Sequence, residues 1–219
     1  MALSKWCLLL LFFAASSVLV AEDQVNRVDS VLITEVKFVK TPVREATKYL
    51  VDQVRGMELH DSAASLKNVV LVGDFGEKKI TLELRELPVL EVFKVMAALV
   101  DANLKVLPEV IVIYRGDWKT TVFHDEGSEG LAERMQQIRI PKVDFHETSI
   151  RDAIEFLNTD PTGESAKRIN LALKDGKPAM VTCSLEAVSF YTALEILVRV
   201  SGHQMIIGQH LVFVGPDGT

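Results

Sequence analysis

The stretch Ile33-Thr34-Glu35-Val36-Lys37-Phe38-Val39-Lys40-Thr41-Pro42-Val43-Arg44-Glu45-Ala46 is written a second time 107 residues later. The later version is Ile140-Pro141-Lys142-Val143-Asp144-Phe145-His146-Glu147-Thr148-Ser149-Ile150-Arg151-Asp152-Ala153. Ile, Val, Phe, Thr, Arg and Ala recur in place. Val43 becomes Ile150, Glu45 becomes Asp152, and Tyr49-Leu50 becomes Phe156-Leu157. Further on the match continues at a shift of 101: Ile80, Leu82, Leu84 and Leu87 meet Val181, Cys183, Leu185 and Val188, and Val110-Ile111-Val112-Ile113 meets Leu211-Val212-Phe213-Val214. The shorter shift removes six residues from the connection after the first helix of copy two. Surface connections tolerate such length changes. Internal self-similarity of this kind sets the architecture before any motif does.

Working outward, each copy reads β-α-β-β-α-β-β. The first strand alternates through Ile33, Val36 and Phe38, and again through Ile140, Val143 and Phe145. A one-residue slip in the alternation predicts a bulge. The first helix is expected to open at Thr41-Pro42 and at Thr148-Ser149, with Thr as cap and Pro in the first turn. Its inward face is Val43, Ala46, Leu50 and Val54, or Ile150, Ala153 and Leu157. Val69–Val72 and Ile169–Leu173 follow as second strands, then Ile80–Leu84 and Val181–Leu185. The second helix carries Val89, Val92, Phe93, Met96, Ala97 and Val100, answered by Phe190, Ala193, Leu194, Leu197 and Val200. A closing hairpin ends each copy, with Pro108-Glu109 and Gln209-His210 at the tips. The expected fold is therefore α+β: two tandem two-layer domains, each with two helices packed on a small mixed sheet.

The 219 residues are 48% hydrophobic and 25% charged, a globular composition that excludes a disordered or collagenous chain. The formal charge of −6 argues against nonspecific nucleic-acid binding, which draws on a basic surface. Lys5, the apolar run from Trp6 and the small residues up to Ala21 read as a secretory signal peptide, residues 1–21. Cleavage is expected after Ala21, with Ser17 as second choice and an uncleaved anchor as the alternative. The chain is then exported, periplasmic in a bacterium, and touches membrane only through the leader or a partner. Cleavage leaves 23 basic and 30 acidic residues, a charge of −7, and Cys183 as the single cysteine. Cys183 lies between Val181 and Leu185 on one strand face, so burial is expected over reactivity. The domains are expected at 29–116 and 138–219, joined by an acidic linker, 117–137, with a short helix from Leu131 and some freedom of rotation.

The copies resemble the short N-terminal periplasmic domain shared by secretins and TonB-dependent signalling receptors. The shared pattern is Val-x-Phe-x-x-Thr-[Pro/Ser]-[Val/Ile]-Arg-[Glu/Asp]-Ala, then Val181–Ser189 with its following helix, Ser201-Gly202-His203-Gln204-Met205, and Leu211–Val214. The resemblance implies a non-catalytic docking or assembly module of the bacterial envelope. It does not extend to a pore or barrel region: the sequence ends at Gly215–Thr219, directly after the last strand.

Chemistry-bearing patterns are sparse. His60, His124, His146, His203 and His210 give no i, i+4 helical pair and no zinc spacing. His124-Asp125-Glu126 reads as a solvated charge run. Gly73-Asp74-Phe75-Gly76 has the outline of a nucleic-acid-binding Gly-x-x-Gly loop, but its acid and its place between strands predict a turn. Glu45/Asp52 and Asp152/Glu155 sit on exposed helix faces without a pocket to separate their pKa values. No catalytic, cofactor-binding or metal-ligating residue is assigned, and no cofactor is expected. The candidate partner-binding residues are Val69, Val70, Leu71 and Val72, as an edge strand able to accept a partner's strand or else covered within the fold, and Trp118, as a partner anchor or as packing for the linker. The function expected is a protein–protein docking or assembly module with an envelope protein as partner. The alternatives are a peptide- or carbohydrate-recognition module using the groove between the copies, and a secreted hydrolase.

Overall fold

A computed structural model describes residues 31–57, 66–159, 169–174 and 178–216. The leader, 1–21, lies outside the described residues. Copy one runs β1 (Leu32–Pro42), α1 (Val43–Arg55), β2 (Val69–Val72), β3 (Lys79–Pro88), α2 (Val89–Leu99), β4 (Asn103–Val106) and β5 (Ile111–Tyr114). A short strand β6 (Val122–His124) and a helix α3 (Glu129–Gln137) follow. Copy two runs β7 (Arg139–Ser149), α4 (Ile150–Asn158), β8 (Leu171–Leu173), β9 (Met180–Ser189), α5 (Phe190–Ser201), β10 (His203–Ile207) and β11 (Val212–Pro216). The α+β class and the strand–helix alternation are those read from the sequence.

The strands of each copy divide between two sheets. β1 pairs with β3 as a long antiparallel ribbon, while β2, β5 and β4 form a second sheet in that order, β2–β5 parallel and β5–β4 antiparallel. Copy two repeats this with β7–β9 and with β8–β11–β10, to which β6 adds in parallel on the far edge of β10. β1 and β7 carry the same order of buried and exposed residues. A bulge is present, but not at the Ile33-to-Val36 or Ile140-to-Val143 slip, across which the pairing keeps regular register; it falls between Phe38 and Thr41 and between Phe145 and Thr148. Lys40 and Glu147 take positive φ there, 51° and 47°, and each N–H is held by a threonine hydroxyl from the partner strand, Thr81 or Thr182. The edge-to-face pair Phe38–Tyr49 recurs as Phe145–Phe156.

The helix starts differ from expectation. Thr41 and Thr148 remain in their strands, and the strand runs into the helix without a loop. Pro42 occupies the cap position with no side-chain bond; Ser149 in copy two bonds the Asp152 N–H. The first helical amides go instead to backbone carbonyls: Val43 to Lys78, Val89 to Val31, Ile150 to Ala179 and Phe190 to Ile138. Backbone carbonyls thus satisfy donors that a helix leaves open at its N-terminus.

The helical faces read from the sequence are the buried ones, from Val43, Ala46, Leu50 and Val54 in α1 to Phe190, Ala193, Leu194 and Leu197 in α5. Cys183 is buried, and burial, reinforced by the charge of Asp144, pushes its thiol up to about 12. Gly73-Asp74-Phe75-Gly76 is a turn between β2 and β3, with Phe75 buried and the Gly76 N–H held by the Asp74 carboxylate.

Candidate partner-binding site

The site begins with β2, because its alternation places apolar side chains on both faces of its sheet. Val69 and Leu71 pack with the core of copy one, together with Ile111 and Ile113 of the neighbouring β5. Val70, Val110 and Val112 point the other way and belong to the same buried cluster as Leu194, Ile196 and Val198 of α5. Val72, Leu107, Tyr114 and Trp118 pack against that cluster as well. One face of copy one's sheet is therefore seated on the helix of copy two. Burying three valines contributes roughly 4–5 kcal/mol at about 1.5 kcal/mol each, enough to couple the copies mechanically.

Polar contacts fix the register of this junction. Asn68, buried just ahead of β2, donates through Nδ2 to the carbonyls of Glu109 and Glu186, 3.0 Å each, and its Oδ1 accepts the Glu186 N–H at 2.8 Å. It is thus a backbone-reading clamp between copy one and β9. The Glu109 carboxylate, at the β4–β5 tip, accepts the N–H (2.9 Å) and hydroxyl (2.7 Å) of Ser189, the cap residue of α5, and pairs with Arg139. Arg139 reaches the Ala187 carbonyl with its other arm. Burial pushes the Glu109 carboxyl up, but bonds from Thr192, Ser189 and Arg139 outweigh it and hold the group below the usual carboxylate range. A carboxylate at a helix N-terminus is also favoured by the helix dipole.

Trp118 closes one end of the junction. Its ring meets Tyr114 edge to face at 4.9 Å between centroids. Lys105 and Arg199 lie 4.5 and 4.1 Å from its centroid, one cation from each copy. Arg199 is additionally bound to Glu195 and to the Lys119 carbonyl. The segment expected as a linker is integrated into copy two: the Met205 N–H bonds the Thr121 carbonyl, β6 pairs with β10, and α3 buries Leu131, Ala132 and Met135. The charge of this segment is carried by its exposed residues, while its apolar residues follow the helical period inward.

Of the residues predicted from sequence, the structure brings Val72 and Trp118 to one cavity of about 300 Å³ between the copies, which Tyr114, Thr121, Arg199 and His203 also line. Thr121 Oγ1 has no hydrogen-bond partner among the described residues. Val69, Val70 and Leu71 are committed to the two cores, so what β2 leaves open is a backbone edge: among the described strands it pairs only with β5. A second cavity of about 400 Å³ lies at the tip of copy one against α5, lined by Leu107, Glu109, Gln136, Ser189, Tyr191 and Glu195. Burial, then the Glu195 charge, pushes the Tyr191 phenol up to about 12. No protein-family model, curated protein or solved structure matches this chain.

Sequence reasoning missed Asn68, Glu109, Arg139 and Ser189 as the junction's polar fixings. One signal was there: Asn68 and Asn170 both stand one residue before the second strand of their copy, and both donate to the carbonyl at the closing hairpin, Glu109 or His210. The other candidates of the sequence have local roles. His124 contacts Ser128 and stacks on Tyr191, and Asp152 accepts the Ser149 hydroxyl at the start of α4. Among the described residues no three His, Cys, Asp or Glu side chains are grouped to hold a metal ion, and no helix is long and apolar enough to cross a membrane.

Proposed function

We propose that this chain is an exported, non-catalytic docking or assembly module of the bacterial envelope, of the kind found at the N-termini of secretins and TonB-dependent signalling receptors. The observation that carries the reading is the junction itself. The outer sheet face of copy one, with Val70, Val110, Val112 and the Asn68 clamp, already holds another folded unit by apolar burial and backbone recognition. A unit that recognises a copy of itself in this way has the chemistry a docking domain needs. The experiment is photo-crosslinking in the living cell, with a photoreactive residue placed in turn at Leu99, Asn103 and Phe213. An adduct with a defined secretion or signalling component of the envelope supports the reading. Absence of any adduct, together with hydrolysis of a peptide or glycan panel by the purified chain, refutes it.

A second reading, recognition of a peptide or carbohydrate between the copies, is favoured by the cavity beside Trp118, whose Thr121 hydroxyl has no partner among the described residues. Titration calorimetry with oligosaccharide and peptide panels, against the Trp118→Ala variant, separates it from protein docking.

A further inference from the structure

The junction between the copies joins two different surfaces, a sheet face on one unit and a helix face on the next. Such a contact leaves the complementary surface free at each end of the pair, and repetition yields rings or filaments. Resting on the docking reading above, we infer that chains associate head to tail: the outer sheet face of copy two seats on the α2 face of copy one in a neighbouring chain.

The sheet side is legible residue by residue. In copy one, Lys105, Val112 and Val70 form one row across the sheet, and Val110, Val112 and Val70 are at most 3% exposed. The corresponding row in copy two is Phe123, Ile206, Phe213 and Ala172, on the face opposite the fully buried Met205, Ile207, Val212 and Val214. This row is open. Phe123 is 42% exposed, Leu211 (the counterpart of Val110) is 45% exposed, and Ala172 is exposed. Where Val112 is shut away, Phe213 is only half-buried. An apolar row on a solvent-facing sheet surface marks an interaction site.

The helix side is open in the complementary place. Ile196 and Val188, on the copy-two surface that receives copy one, are fully buried; their counterparts Val95 and Leu87 are half-buried. Leu99 and Leu32 beside them are 50% and 60% exposed. The backbone feature that Asn68 reads is present too. Ala187 has φ 53° next to the clamped Glu186, and its counterpart Glu86 has φ 51° next to Arg85. On the sheet side Asn170 is exposed and, among the described residues, its side chain makes only the bond to the His210 carbonyl. The remaining amide groups match the Arg85 backbone as Asn68 matches Glu186. One fixing is not repeated: Glu109, Ser189 and Arg139 correspond to His210, Pro88 and Leu32. The contact between chains is therefore more apolar than the internal one and reversible.

The test is sedimentation velocity on the chain from Glu22 onward, across a concentration series. The wild type associates as concentration rises. Phe213→Glu and Leu99→Glu each place a carboxylate in the contact and weaken association at least about 100-fold. Each is checked by circular dichroism for retained fold, and Ala172→Glu, at an exposed site, serves as a second sheet-face variant. Mixed in equal amounts, the Phe213→Glu and Leu99→Glu chains form a dimer and nothing larger, because each keeps one intact face. A wild type still monomeric at about 500 µM overturns the inference, since the contact would then be weaker than a functional one; so does failure of the mixed variants to pair. If the chain is monomeric yet crosslinks to a different envelope protein, the docking reading stands alone. If it does neither, both fall.

Discussion

Replacing Asn68 with alanine tests whether the two copies are clamped or merely adjacent. Asn68 makes three hydrogen bonds, to the Glu109 carbonyl and to both backbone groups of Glu186, at 2.8–3.0 Å. A hydrogen bond contributes about 1 kcal/mol net, and somewhat more where its partner is left buried and unpaired. Three bonds and three part-buried backbone groups therefore place Asn68→Ala at about 3–4 kcal/mol. Asn170→Ala is the internal control, since that exposed side chain donates once among the described residues, to the His210 carbonyl at 3.1 Å; its loss costs about 0.5–1 kcal/mol. The assay is urea denaturation of the chain from Glu22 onward. With a denaturant slope of about 2 kcal/mol per molar, Asn68→Ala lowers the midpoint by about 1.5 M and Asn170→Ala by less than about 0.5 M. Equal shifts for the two variants refute the clamp. Because Val70, Val110 and Val112 belong to the cluster of copy two, the wild type unfolds in one transition; two separated transitions refute the shared core.

Three further outcomes follow from the junction and the core. The Glu109 carboxyl is held below the 4.5 of an ordinary glutamate, so its contribution to stability is full above that pH and is lost as pH falls through the lower folded-state value. The stability gap between wild type and Glu109→Gln therefore narrows on acidification below about pH 5, and a gap constant down to about pH 3 overturns the assignment. Trp118 is the single tryptophan once residues 1–21 are removed, and its emission reports the junction. Trp118→Ala costs about 2–3 kcal/mol through lost packing and cation–π contact, and in the wild type the emission change coincides with the far-ultraviolet transition; an earlier emission change would show that the junction opens first. The Cys183 thiol is buried and raised to about 12, so at pH 8 it reacts with a disulfide reagent at least about 1,000-fold more slowly than in the urea-unfolded chain. Comparable rates would place it at the surface.

The architecture was legible because both copies spell it in apolar spacing. Val36/Phe38 and Val143/Phe145 set the strand period and the helical faces followed the 3.6-residue repeat, but the bulge lies after Phe38 and Phe145 and not at the slip before Val36 and Val143. The helix starts were legible in place, at Thr41-Pro42 and Thr148-Ser149, but not in the bonds that hold them, because the first donors go to carbonyls of distant residues such as Lys78 and Ala179, a contact without a side-chain signature. The junction was half legible. Val110-Ile111-Val112-Ile113 is apolar on both faces, the mark of a strand covered on both sides. Nothing in the spacing says that the second cover is copy two. Asn68 and Glu109 sit beside a strand and in a turn, where polar residues are expected for local reasons, so their reach across 118 and 80 residues carries no periodic signal. The segment 117–137 read as a linker because its acids outnumber its bases; its short helix was expected, but Leu131, Ala132 and Met135 are too few to announce that it packs into copy two.

The carbonyl-held helix starts have a consequence for how such a chain can change over time. Where a hydroxyl must cap a helix, the cap residue is constrained by its side chain. Here the first helical amide at each of the four strand-to-helix corners is held by a main-chain carbonyl, a hydroxyl cap is added only at the two serines, and the corner residues are Pro42, Pro88, Ser149 and Ser189, two of each kind. Both kinds accept the extended backbone required, with φ between −54° and −70°. The corner is thus written in a part of the chain that substitution does not alter. After duplication, each half is free to lose sequence likeness at these positions without losing its path, so descendants of this unit should keep their shape longer than their spelling.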